Sequence, residues 1–463
     1  MNRVKDMTQG KPMGLLITLA IPLMIGNLGQ QLYTIVDAII VGRGVGIEAL
    51  ASVGAADWTY WLILWMIMAM TQGFATRIAQ HFGEGNRERL RKSITMSIFL
   101  CVTIGILLMV AGELLIRPIL TVLKTPEDIF GGAVSYLTVM FLGTLVIMAY
   151  NMAAAILRAL GDGRTPLLAV GIAGGVNIVL DLLFVMVFRW GIIGAAAATL
   201  IAQLIAFLYC FTVLRRIEIL HMEREDWKLD RSAIGELCSM GLPLALQHVV
   251  IVIGGMVLQS AINVHGTVFV AAFTASNKLL GLMESSGFSF GYAVTTYVAQ
   301  NYGAGLQKRI KKGMVCSVSV SMVMAVIVTI AMLLAGKYIL RIFIDFSDPT
   351  AYQVLDVAYR YLTMLSIFLF SLYLLHVFRS GVQGLGNARI PLISGGVEFV
   401  MRISAALLLT RVWGVNAIFW AEPLAWMGAA VVVTAGCLWN MRRLRKEMPE
   451  QLEASRNASE RNS

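Results

Sequence analysis

Apolar stretches of about twenty residues or more follow one another along almost the whole chain, separated by short polar segments. Before the polar stretch 215–232 they cover about 13–42, 51–76, 93–119, 133–158, 164–188 and 192–214. After it they cover about 233–263, 268–300, 313–343, 351–381, 390–410 and 414–440. At ~1.5 Å rise per residue, each is long enough to cross a hydrocarbon core ~30 Å thick as a helix. The bilayer interior offers no water to backbone groups, so spans of this length must be helices, and Gly or Pro within them must face protein or a cavity. The pattern predicts an all-α integral membrane protein with twelve transmembrane helices in two pseudo-symmetric six-helix lobes. The expected organisation is an amino-terminal segment 1–12, a first lobe 13–214, a linker 215–232, a second lobe 233–440 and a polar tail 441–463.

The two lobes spell nearly the same text. Ala79-Gln80-His81-Phe82-Gly83-Glu84-Gly85 returns 220 residues later as Ala299-Gln300-Asn301-Tyr302-Gly303-Ala304-Gly305, followed at the same spacing by Arg89 and Lys92 against Arg309 and Lys312. Ala20-Ile21-Pro22-Leu23 matches Gly241-Leu242-Pro243-Leu244, and Gly161-Asp162-Gly163-Arg164-Thr165-Pro166 matches Gly386-Asn387-Ala388-Arg389-Ile390-Pro391. Such a period is far too long for a solenoid. A duplicated hydrophobic half points to a two-lobed transporter.

Composition agrees: of the 463 residues 58% are hydrophobic and only 14% charged, where soluble domains hold roughly 25% charged. The net charge of +10 reports topology rather than a nucleic-acid partner. Lys and Arg crowd alternate loops, around 87–92, 215–231, 308–312 and 442–446, with about 25 on one side and about eight on the other. Both termini are therefore expected in the cytoplasm. The first span contains Pro22, Asn27 and Asp37 and no small-residue cleavage site, which reads as a retained helix. The five cysteines lie in or at the ends of spans without metal-ligand spacing, and no disulfide framework follows. The tail after Lys446 reads as disordered, and its Asn457-Ala458-Ser459 sequon would go unused in the cytoplasm.

Ionisable residues at bilayer depth are costly and rare, so each is a candidate for function. Asp37 stands fifteen residues beyond Pro22; an interfacial Asp neutralised by Arg43 is its bland alternative. Asn177 and Asp181 sit mid-span at i and i+4, on one helix face. They follow Gly171, Gly174 and Gly175, which permit close helix approach. Thr199 follows on the next span among small residues. Two carboxylates, an amide oxygen and a hydroxyl suit a small hard cation; two carboxylates in a dry site would alternatively hold a proton. A satisfied polar packing network is the third reading. In the second lobe, Gly395-Gly396-Val397-Glu398 looks like the equivalent stretch, and Glu398 and Arg402 at i and i+4 can pair with each other. Glu284 and Glu422 also fall within spans and, with Glu398, are candidates to face a substrate cavity. The glycine-rich cytoplasmic loops lack the Lys-Ser/Thr of a P-loop, and no nucleophile, zinc or kinase constellation exists. Neither an enzyme activity nor a cofactor is expected.

Taken together, Pro22 with Val36-Asp37, Ala79–Gly83 and Ala299–Gly303, Arg158-Ala159-Leu160-Gly161-Asp162-Gly163-Arg164-Thr165-Pro166, and Asn177 with Asp181 resemble the multidrug and toxic compound extrusion (MATE) transporters over about residues 12–440. The resemblance implies a two-lobed, monomeric exporter of organic, often cationic, compounds, driven by inward Na⁺ or H⁺ across a bacterial or archaeal cytoplasmic membrane. It implies that Asp37, Asn177, Asp181 and Thr199 form the coupling site, as metal ligands if the ion is Na⁺, and that the first helix bends near Pro22. Some members also couple through an acidic residue in helix seven. Here the stretch from Leu242 to Asn263 contains no Asp or Glu, so coupling is expected in the first lobe. A lipid-linked oligosaccharide flippase of the same superfamily is the alternative; its cavity should be strongly cationic to hold pyrophosphate.

Overall fold

The computed structural model describes residues 4–344, 346 and 349–460, with the backbone alone at residues 47, 411, 415–416 and 445–460. Among the described residues every regular element is helical. In chain order these are α1 (Pro12–Gly44), α2 (Ile47–Glu84), α3 (Arg87–Val122), α4 (Glu127–Leu142), α5 (Thr144–Ala159), α6 (Arg164–Asp181), α7 (Gly191–Leu214) and α8 (Arg231–Asn263). There follow α9 (Thr267–Gly303), α10 (Gln307–Leu340), α11 (Ala351–Ile367), α12 (Leu369–Gly384), α13 (Arg389–Ser404), α14 (Thr410–Trp413) and α15 (Ala421–Glu460).

Nine of the described helical runs are long and apolar enough to cross a membrane, and two bent pairs add two more. The runs predicted over 133–158 and 351–381 are these pairs: α4 meets α5 at 50° and α11 meets α12 at 47°. At the first break Gly143 lies so close to Leu200 that a Cβ would collide with it. The twelfth pass is α9, 37 residues long. It carries too many hydroxyl and amide side chains to pass by apolarity, yet it spends them inward: Ser276, Ser289, Thr295, Gln300 and Asn301 are buried. Ser276 Oγ donates within 2.9 Å of the carbonyls of Ala272 and Ala358. Inward hydroxyls that bond backbone oxygens carry no unpaired polarity into the bilayer.

The chain forms two compact units, Met1–Asp6 with Thr18–Ala245 and Met7–Ile17 with Leu246–Ser463. In the first, small residues bring helices close. A Cβ on Gly26 of α1 would lie 3.6 Å from Leu167 Cα of α6, and one on Gly174 of α6 would lie 3.2 Å from the Tyr33 ring. Ala153, Leu157, Ala169, Ala202, Ala206 and Cys210 make a tightly packed core between α5, α6 and α7. The linker is folded onto α3. Arg91 reaches Glu223 at 2.9 Å and Asp226 at 2.8 Å, while Thr95 Oγ1 donates to Asp226 O at 2.6 Å. In the second unit the chain start is stitched to α9 and α10. Met7 N–H donates to Gln300 Oε1 at 2.8 Å, and Met7 O accepts from Asn301 and Arg309, both at 3.1 Å. Phe273, Tyr361 and Phe419 stack in its interior, the first two with ring centroids 4.1 Å apart.

Two expectations change. The tail continues as helix α15 to Glu460, where the sequence reads as disordered; Arg, Lys, Glu, Leu and Ala, all good helix formers, dominate it. Its sequon lies where only the backbone is described, and the last three residues lie outside the described residues. The glycines of the basic loops serve as turn punctuation only in part. Gly85 and Gly305 take the left-handed conformation at φ 72° and 71°, whereas Gly83 and Gly303 remain helical.

Candidate cation-binding site

The first unit places its predicted polar residues together. α1 runs unbroken through Pro22, which has no N–H to offer the carbonyl one turn back, and carries Asp37 near its end. α6 ends on Asp181, immediately before a six-residue π-helix, Leu182–Val187, and carries Asn177 one turn earlier. The close approach of α1 and α6 at Gly26 and Gly174 brings the Asp37 and Asp181 carboxyl groups face to face at hydrogen-bonding range. Asn177 Nδ2 donates to Thr199 Oγ1 on α7 at 3.4 Å. That leaves Asn177 Oδ1 turned away from the bond. Asp181 is fully buried and Asn177 is 1% exposed.

Four buried oxygens of this group have no hydrogen-bond donor: Asp37 Oδ1, Asn177 Oδ1 and both oxygens of Asp181. Burying a carboxylate without a donor or counter-charge is prohibitive. Two facing carboxylates compound the cost through like-charge repulsion, and a shared proton or a small cation removes it. The donor set (carboxylate, amide and hydroxyl oxygens) is the kind hard cations take. The residues present therefore fit either ion. Around them lie phenols: Tyr60, which from sequence reads as part of an aromatic belt with Trp58, Trp61 and Trp65, and Tyr33 and Tyr136, which no sequence motif marks. Tyr136 of α4 lies within electrostatic reach of Asp37 and Asp181, Tyr33 within electrostatic reach of Asp37, and Tyr60 within hydrogen-bonding reach of Gln203. A tyrosine inside an apolar span was their available signal, but Tyr also belongs to ordinary membrane packing.

The second unit concentrates its charges differently. Arg402 Nη2 meets Glu398 Oε1 at 2.9 Å and Glu422 Oε2 at 2.8 Å, and its Nη1 donates to Ile251 O at 3.2 Å. Arg379 Nη2 meets the other oxygen of Glu398 at 2.9 Å and Ser394 Oγ at 3.1 Å. The i, i+4 pair read from sequence is thus the centre of a larger network, and Arg379 is the member missed. Glu284 stands within electrostatic reach of all four of these charged residues. Glu398 and Glu422, read as candidates for a substrate cavity, hold arginines. Two further buried groups converge nearby. Gln247 packs against Gly395 with both amide atoms unpartnered, and His376 sits against the Phe288 ring with Nε2 unpartnered.

A family model, MatE, matches residues 22–183 and 243–408, one block in each half of the chain. The chain belongs to this family. Among curated MATE relatives, the probable multidrug resistance protein YpnP of Bacillus subtilis is 31% identical over 75% of this chain and 78% of its own. The probable multidrug resistance protein NorM of Thermotoga maritima is 25% identical over 86% of this chain and 85% of its own. A crystal structure of a MATE protein in complex with MaL6 superposes with a TM-score of 0.89 at 23% identity, covering 95% of this chain and 99% of that one. That last likeness shows the MATE fold. The matched blocks begin at Pro22 and Pro243, so both copies of the duplicated half lie inside the family pattern.

Proposed function

We propose that this MATE transporter exports organic, often cationic, compounds by alternating access, in exchange for Na⁺ or H⁺ bound in its first unit at Asp37, Asn177, Asp181 and Thr199. The observation that carries this reading is the apposition of Asp37 and Asp181 with four unpartnered buried oxygens around them. Such a group is stable only when charge-compensated, so its loading state is linked to conformation. Cation binding favours the arrangement of α1 that holds Asp37 against Asp181, and discharge frees α1 to move about Pro22. Drug and cation then compete through one bistable helix, and each lowers the other's affinity by the same factor. The names of the multidrug relatives support organic substrates. So does charge: in the second unit Glu284, Glu398 and Glu422 outnumber Arg379 and Arg402, and Glu284 is our candidate contact for a cationic drug. The same balance weighs against the lipid-linked oligosaccharide flippase, because both arginines are already engaged by carboxylates rather than free for pyrophosphate. We place the chain in a bacterial or archaeal cytoplasmic membrane as a monomer with both termini inside.

Dye-loaded proteoliposomes given a Na⁺ gradient and a pH gradient in separate runs test the proposal. Extrusion under one of them establishes antiport and names the ion. If neither gradient moves organic cations while a fluorescent lipid is flipped, the exporter reading fails and the flippase replaces it.

A further inference from the structure

The two units are copies in sequence, and their contacts show which residue stands where. Gly161 and Gly386 take the same left-handed turn, φ 80° and 82°. Asp162 then caps α6 by accepting from the N–H groups of Arg164 and Thr165, as Asn387 caps α13 by accepting from those of Arg389 and Ile390. Counting from these turns, Phe399 is the counterpart of Gly174 and Arg402 of Asn177. Packing agrees. Gly174 meets Tyr33 of α1, Phe399 meets Gly254 of α8, and Tyr33 and Gly254 each stand eleven residues beyond the proline of their helix. Matching the Gly-Gly-Val triplets instead would pair Asn177 with Glu398; the contacts move the register by one helical turn. After each helix a Trp-Gly turn follows, Gly191 at φ 61° and Gly414 at φ 64°, and eight residues beyond each glycine stand Thr199 and Glu422.

The hydrogen bond from Asn177 to Thr199 is therefore matched by the ion pair from Arg402 to Glu422. By the same registers Asp37 corresponds to Leu258 and Asp181 to Ala406, both buried. The second unit lacks the two facing carboxylates and has a guanidinium in their neighbourhood. Arg402 is 4% exposed, and one of its nitrogens is shared by two carboxylates.

We propose that Arg402 is a tethered cation: its guanidinium fills, in the second unit, the place that an exchangeable cation takes in the first. Glu398 and Glu422 are the ligands of this permanent ion, so this carboxylate pair is always charge-compensated and takes up no coupling ion of its own. The inference rests on the first unit being a cation site. Removing the guanidinium would leave Glu284, Glu398 and Glu422 facing Arg379 alone, an acidic pocket with room for a diffusible cation.

Chemical rescue of the purified full-length chain in detergent tests this. Arg402→Ala should melt below wild type, and its melting temperature should climb saturably with guanidinium chloride added well below denaturing concentration. Choline chloride at equal concentration should not reproduce the climb. Wild type and Arg402→Ala/Glu422→Gln should not respond. A flat response of Arg402→Ala, or an equal climb in the double variant, would overturn the proposal. If Arg402→Ala does not fold, Arg402→Gln keeps an amide donor and most of the volume, and Na⁺ becomes the probe. A saturable rise beyond that of wild type, with the excess abolished by Glu422→Gln, supports the proposal, and a rise no greater than that of wild type overturns it. No gradient or transport enters the readout, so this result is independent of whether extrusion is observed in proteoliposomes.

Discussion

Asp162 shows how a polar residue in an apolar chain is spent on structure. Its carboxylate accepts from two backbone N–H groups at 2.9 and 3.0 Å and from the Thr165 hydroxyl, capping α6 just where the helix that carries Asn177 and Asp181 begins. Asp162→Ala should cost about 1–2 kcal/mol of stability, seen as a lower melting temperature. Asn387→Ala should cost less, because the second-unit cap has Ile390 in place of the hydroxyl donor. At this scale the sequence was partly legible. Asp37, Asn177, Asp181 and Thr199 stood out because charge and hydrogen-bonding capacity are rare in apolar spans, and the structure brings all four to one place. Arg379 did not stand out, since its partner Glu398 is nineteen residues away on another helix and no local spacing announces the pair. Tyr136 did not stand out and Gln247 reads as a packing residue for a related reason: aromatic and amide residues are common in helix packing, and only burial without a partner makes Gln247 unusual.

At the scale of elements, α1 carries the flexible point of the proposed mechanism, and α2 and α8 form a rigid contact. α1 keeps its helical path through Pro22 despite one missing hydrogen bond, the weakness at which it can flex. Pro22→Ala restores that bond. It should slow gradient-driven extrusion severalfold while leaving the melting temperature equal or higher; a variant that transports at the wild-type rate would remove Pro22 from the mechanism. α2 and α8 meet in the first unit with no side chain between them. A Cβ on Gly73 would lie 2.7 Å from Gly241 Cα, a backbone contact that cannot yield by rotating a side chain. Gly73→Ala should therefore destabilise by about 1–3 kcal/mol, measurable as a fall in melting temperature. Apolar run length anticipated the eleven passes that length and apolarity support among the described residues, and it also marked α9, whose polar side chains dilute the signal. It could not anticipate the bends at Gly143 and Phe368, because these come from packing across helices, Leu200 against Gly143 in the first case. The helical tail to Glu460 went unread because its polarity suggested disorder while its residue types favour helix.

At the scale of the whole molecule, the duplication was the most legible feature and also the most misleading in detail. It announced two lobes of one MATE transporter, and the family match falls on both. The apparent alignment of the Gly-Gly-Val triplets hid the true counterparts, because helix register is set by the capped turns before α6 and α13 rather than by the small residues within them. Read in the right register, one unit holds a pair of facing carboxylates and the other an arginine between carboxylates. We therefore propose that chemical coupling belongs to the first unit, with fixed charge and a candidate drug contact at Glu284 in the second. The direct test is cation-gradient-driven dye extrusion from proteoliposomes by Asp37→Asn and Asp181→Asn, with protein content and melting temperature matched to wild type. Both variants should let dye equilibrate across the membrane but accumulate none against its gradient. Undiminished uphill extrusion by either variant would contradict the account.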